Sequence, residues 1–182
     1  IEMYDLQPGV PVVGVFGGSL GSRAINEAVA DMVEEWSGPP IQVVHLTGPS
    51  HHEAMAARSS GAGVIWRRVS FEESMESFYA ACDLVIARAG GAVAELTATG
   101  TPAILVPGSF GSGGHQEGNA RFLAAAGAAE VIQEDRLAGL GGVVQRLVGA
   151  PELTTAMAEA TRDISKPDAA RTIARKMIES TK

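Results

Sequence analysis

Pro11-Val12-Val13-Gly14-Val15-Phe16-Gly17-Gly18-Ser19-Leu20-Gly21-Ser22-Arg23-Ala24-Ile25-Asn26 decides the fold. An apolar run stops at a glycine-rich turn, and an amphipathic helical pattern starts at once. That order leaves backbone N–H groups and the positive end of a helix dipole where a strand ends, a natural seat for a phosphate. Two common phosphate loops are excluded. Ser19 stands where the second glycine of a dinucleotide fingerprint would be, and no Gly-Lys-Ser/Thr follows as in a P-loop.

Outward from this turn, short apolar runs alternate with helical patterns. Residues 12–16, 42–45, 64–67, 84–87, 103–106 and 130–132 are rich in Val, Ile and Leu with little polar alternation. Strands buried on both faces of a parallel sheet have this pattern. Ile25, Ala28, Val29, Met32, Val33 and Trp36 make a helical stripe closed by Gly38-Pro39-Pro40. A weaker helix is expected over 50–58. Met75, Phe78, Tyr79 and Cys82 repeat at helical spacing, which places Cys82 in a core stripe. Further helices are expected from Gly90-Gly91 to 99, over 119–126, and in three closing segments at 135–148, 152–164 and 168–180. The last has Pro167 near its first turn. The repetition predicts an α/β fold, a Rossmann-like doubly wound parallel sheet of about six strands. Ligands of such sheets bind beyond the carboxyl ends of the strands, so the candidate loops are 17–22, 47–50, 69–73, 88–91 and 107–116.

Composition narrows the function classes. The 182 residues suit one domain, and 46% hydrophobic with 19% charged residues is a globular balance. A net charge of −7 argues against nucleic acid as a partner. No apolar stretch reaches about 18 residues, so no membrane span is expected. The single cysteine excludes an internal disulfide and suits a reducing compartment; a cytoplasmic location is expected. Ile1 is not a start methionine, and residues 1–11 show no capped element, which suggests a linker or interdomain segment leading into a domain over 12–182. His51-His52-Glu53 lacks HExxH spacing and a cysteine pair, so no metal is expected. Neither a Ser-His-Asp set nor a close carboxylate pair is visible, and no residue of this chain is assigned a catalytic role. Arg88 is suited equally to a phosphate and to a neighbouring carboxylate.

Five motifs then occur in order: Gly17-Gly18-Ser19-Leu20-Gly21-Ser22, Asp83 to Gly90, Ala94-Glu95-Leu96, Gly100-Thr101-Pro102, and His115-Gln116-Glu117-Gly118-Asn119-Ala120. Together they resemble the donor-binding, C-terminal half of the lipid II-forming N-acetylglucosaminyltransferases, a family of two-domain GT-B glycosyltransferases. The resemblance implies UDP-N-acetylglucosamine (UDP-GlcNAc) as donor substrate and no cofactor. It also implies a separate N-terminal half that binds a lipid-linked muramoyl-pentapeptide acceptor and carries the general base. The full-length protein would work in peptidoglycan synthesis, at the inner face of the plasma membrane.

The same resemblance assigns roles. Gly17, Gly18, Ser19 and Gly21 would form the diphosphate turn, with Gly90 and Gly91 contributing from the second glycine loop. Phe71 and Glu72 would present backbone to the uracil edge, and Glu95 would accept from the ribose hydroxyls. His115 and Gln116 would meet the sugar hydroxyls, with Asn119 bracing that loop. The Arg88-to-Glu95 run is one residue shorter than the family's usual spacing, and residues 108–114 are unusually glycine-rich. Two other readings keep or abandon the chemistry: a half of another nucleotide-sugar transferase or sugar-nucleotide epimerase, and a non-enzymatic α/β docking module.

Overall fold

In the computed structural model, residues 2–108, 114–166 and 168–180 are described. The opening apolar run forms β1 (Val12–Phe16), buried along its whole length. Five further strands follow: β2 (Ile41–Leu46), β3 (Val64–Val69), β4 (Leu84–Ala87), β5 (Ala103–Leu105) and β6 (Ala129–Val131). Between and after them come α1 (Arg23–Glu34), α2 (His52–Ala56), α3 (Met75–Ala81), α4 (Ala92–Thr99), α5 (His115–Ala125), α6 (Leu140–Val148), α7 (Pro151–Asp163) and α8 (Ala169–Ser180). Every strand pairing is parallel, in the order β3-β2-β1-β4-β5-β6. The chain steps outward from β1 to β3, then returns to β1's other side to lay down β4. Strand order therefore reverses between β1 and β4, and a crevice opens there at the strands' carboxyl ends.

Alternating side chains of β1 feed two cores. Val13 and Val15 pack with Ile25, Val29 and Val33 of α1 and with Leu140, Val144 and Leu147 of α6. Val12 and Phe16 pack on the opposite face with Phe78, Tyr79, Leu96 and Leu123. Phe16, Phe78 and Tyr79 meet edge-on, with ring centroids 5.6–6.0 Å apart, a favourable aromatic arrangement. Cys82 lies beside this cluster, and burial pushes its thiol well above the ordinary value.

Some elements differ from the sequence expectation. The segment before β1 contains a 3-10 turn at Glu2–Tyr4, and Tyr4 and Leu6 are buried in the second core. The closing stretch 135–148 divides into a 3-10 segment, Glu134–Gly139, and α6, where glycines at 139, 141 and 142 weaken a continuous helix. α8 carries no buried residue. Residues 109–113, most of the glycine-rich stretch, and Pro167 lie outside the described residues. Among the described residues, no helix is long and apolar enough to cross a membrane.

Candidate functional site

Two loops leave the switch point, one from β1 to α1 and one from β4 to α4. The first is pressed against the loop after β2. Gly21 has φ +81°, and a Cβ there would lie 2.2 Å from the Thr47 carbonyl oxygen; Gly48, at φ +78°, would meet the Leu20 oxygen at 2.3 Å. Only glycine fits that left-handed, back-to-back approach. Ser22 closes the turn as N-cap of α1, its Oγ facing the Ile25 N–H.

Most amides of this turn have no protein acceptor among the described residues. Gly21 N–H donates to Gly18 O at 3.0 Å, whereas the amides of Gly18, Ser19 and Leu20 find no protein acceptor among the described residues. The β4–α4 loop is alike. Gly91 is the N-cap of α4, the Gly90 and Gly91 amides have no backbone acceptor among the described residues, and a Cβ at either would meet nothing within 4 Å. Unmade donors at helix starts are the chemistry an anion satisfies.

Gly18, Ser19, Phe71, Glu72, Gly91 and Glu95 line one cavity of about 330 Å³, together with Phe16, Leu46, Met75 and others. Six predicted site residues thus share one hollow. A larger hollow of about 670 Å³ runs along α1 and α6, but no predicted site residue lines it. Glu95 stands in the first turn of α4, where its carboxylate accepts the Tyr79 hydroxyl at 2.7 Å. Burial, then this hydrogen bond to Glu95, pushes the Tyr79 phenol above its usual range. Tyr79 therefore stays protonated and aims one carboxylate oxygen of Glu95. Glu72 is engaged on both oxygens, by the Tyr4 hydroxyl at 2.6 Å and the Ser74 amide at 2.8 Å. Those contacts hold its carboxyl below the usual carboxylate range. Phe71 projects from the same loop, 54% exposed.

His115, Gln116 and Asn119 sit apart from this cavity's lining. α5 begins at His115, so His115 and Gln116 are on its first turn rather than in a loop. Gln116 Oε1 accepts the Gly108 N–H at 2.8 Å. Asn119, one turn further, donates to the Ala89 carbonyl at 2.9 Å and ties α5 to the second glycine loop. Arg88 resolves to a protein carboxylate. It pairs with Glu134, and its Nη2 donates to Ser22 Oγ at 2.8 Å, joining the two loops of the switch point. Among the described residues, no group of three His, Cys, Asp or Glu is placed to hold a metal.

Sequence reasoning missed the support beneath the first loop. Asn26, His45 and Thr47 are buried together. Asn26 Nδ2 donates to Thr47 O at 2.8 Å, and Asn26 Oδ1 faces His45 Nε2 at 3.0 Å. This network puts the imidazole proton on Nε2. Burial, with the nearby Arg68 charge, pushes His45 down to about 3, so the ring is neutral. His45 within the buried run of β2, Asn26 on the buried face of α1 and Thr47 just past β2 were the available signals.

The comparisons with known proteins fit this geometry. Residues 12–173 match the glycosyltransferase family 28 C-terminal domain. A UDP-N-acetylglucosamine--N-acetylmuramyl-(pentapeptide) pyrophosphoryl-undecaprenol N-acetylglucosamine transferase of Halorhodospira halophila is 40% identical over 177 residues, 95% of this chain and 49% of that protein. Its namesake from Listeria welshimeri is 36% identical over 93% of this chain and 48% of its own length. The chain thus spans about half the length of these relatives. Acinetobacter baumannii MurG superposes with a TM-score of 0.87 at 28% identity, covering 98% of this chain and 52% of that one. The calicheamicin glycosyltransferase CalG4 (TM-score 0.69, 21% identity, 93% of this chain and 42% of that one) shares the fold. With the match running from β1 into α8, the chain belongs to the glycosyltransferase family 28 C-terminal domain family.

Proposed function

We propose that this chain is the donor half of an inverting N-acetylglucosaminyltransferase, binding UDP-GlcNAc for transfer to a lipid-linked muramoyl-pentapeptide in peptidoglycan synthesis. One observation carries the reading. At the switch point, backbone amides of two glycine loops that have no acceptor among the described residues and the oriented carboxylate of Glu95 border the same cavity. A diphosphate asks for amide donors and helix N-termini; a ribose diol asks for a carboxylate acceptor. Gly18, Ser19, Gly90 and Gly91 take the diphosphate. The backbone at Phe71 and Glu72 takes the uracil, and Glu95 takes the ribose. His115 and Gln116, on the first turn of α5, take the sugar.

The chemistry assigned to this half is positional and electrostatic. Charge developing on the departing UDP is met by preorganised N–H groups and the positive ends of α1 and α4. The other half of the full-length protein supplies the acceptor site and the base, and the assembled enzyme works in the cytoplasm against the inner face of the plasma membrane. Calorimetric titration of this chain tests the donor assignment. Binding of UDP and UDP-GlcNAc in the micromolar-to-millimolar range, without turnover, is expected. No heat from UDP at millimolar concentration overturns it.

A further inference from the structure

The base-side wall of the cavity is braced by a residue far from it in sequence. Ser70, Phe71, Glu72 and Met75 form that wall, and Glu72 is its hinge pin. Both Glu72 oxygens accept from protein donors, so the carboxylate orders the loop. One donor, the Ser74 amide, is local. The other, the Tyr4 hydroxyl, is 68 residues away.

Tyr4 is itself held fast. Its ring is buried, and its carbonyl accepts Arg67 Nε at 3.0 Å. Arg67 Nη2 reaches the Asp5 carbonyl at 3.0 Å and the Asp5 carboxylate at 2.6 Å. Asp5 sits at φ +49°, a left-handed bend unusual for a non-glycine residue. Downstream, buried Gln42 of β2 accepts the Gln7 N–H at 2.7 Å and donates to the carbonyls of Gln7 and Val10. The segment before β1 is therefore keyed at three points, to β2, β3 and the base-side loop.

We infer that Tyr4 is a positioning residue for the nucleobase end of the donor pocket. Its hydroxyl fixes Glu72, and through Glu72 the backbone at Phe71, in the arrangement that admits the base. The inference rests on the UDP reading above. Linkage is reciprocal, so a ligand that uses the base-side wall also stabilises the Tyr4 segment, whereas one confined to the diphosphate cradle does not.

The test titrates UDP, uridine and inorganic pyrophosphate into the wild-type chain, Tyr4→Phe and Glu72→Gln. Tyr4→Phe removes one hydrogen bond and should weaken UDP and uridine by about 3- to 10-fold, with pyrophosphate affinity unchanged. Glu72→Gln, which disturbs the same link from the other side, should give the same split and decides the matter if Tyr4→Phe does not fold. Hydrogen exchange at residues 4–8 should slow with UDP and not with pyrophosphate. Wild-type UDP affinity in Tyr4→Phe overturns the inference, as does equal loss of UDP and pyrophosphate, the mark of a general packing defect. A wild-type chain that binds none of the three overturns the nucleotide reading itself, and the inference with it.

Discussion

Tyr79 donates its hydroxyl to Glu95 Oε2 at 2.7 Å, so a buried phenol on α3 aims the carboxylate at the mouth of α4. If Glu95 accepts from a ribose, Glu95→Ala deletes charged hydrogen bonds worth about 1.5–3 kcal/mol. UDP should then bind about 10- to 150-fold more weakly, with pyrophosphate unaffected. Tyr79→Phe leaves the acceptor but frees its aim and should cost less. Unchanged UDP affinity in Glu95→Ala, read by calorimetry, removes the ribose assignment.

Glycines at the two loops should separate stability from binding. Gly21→Ala forces a left-handed alanine against the Thr47 carbonyl and should lose about 2 kcal/mol or more of stability. Gly91→Ala meets open space at φ −58° and should stay within about 0.5 kcal/mol of the parent chain. Its new methyl enters the cavity, however, and should weaken UDP about tenfold. Thermal melts with and without nucleotide check both.

His45 predicts an acid-side loss of stability. Its folded value, about 3, lies below the imidazole's ordinary 6.5, so the unfolded chain binds the proton more readily. The neutral ring's contribution is whole above pH 6.5 and declines as pH falls from there toward 3. Between pH 6.5 and 5.5 carboxylates remain ionised, and comparison with a His45 variant separates this ring from the chain's other three histidines. Denaturant midpoints should fall across that window in the parent chain and stay flatter in His45→Asn. Identical slopes would show that the buried ring is not the cause.

Asn26→Leu should cost about 1–3 kcal/mol, because it strands the His45 Nε2–H and breaks the tie to Thr47 O. The Thr47-Gly48 backbone supports Gly21, so diphosphate affinity should fall with stability in this variant. Urea titration and pyrophosphate calorimetry on the same sample measure the two losses.

Legibility in the sequence followed locality. Gly17 to Ser22 and the strand ending at Ala87 could be read because an apolar run meeting glycines is a signal carried by adjacent residues. The start of α5 was placed four residues late. Its cap is Gly114 at φ +65° with no side-chain hydrogen bond, so the sequence holds no Ser, Thr or Asp to mark it. Arg88's partner could not be chosen, since Glu134 lies 46 residues away across the sheet. Asn26 with His45, and Tyr4 with Glu72, are likewise tertiary pairs that no periodicity announces.

The abutting backbones at Gly21 and Gly48 make the first two βα connections a single seam. Lengthening either one would wedge neighbouring units of the sheet apart. On the proposed reading, changes that retune which nucleotide is welcomed have room elsewhere, as at the start of α5, where a Cβ at Gly114 would meet nothing within 4 Å among the described residues.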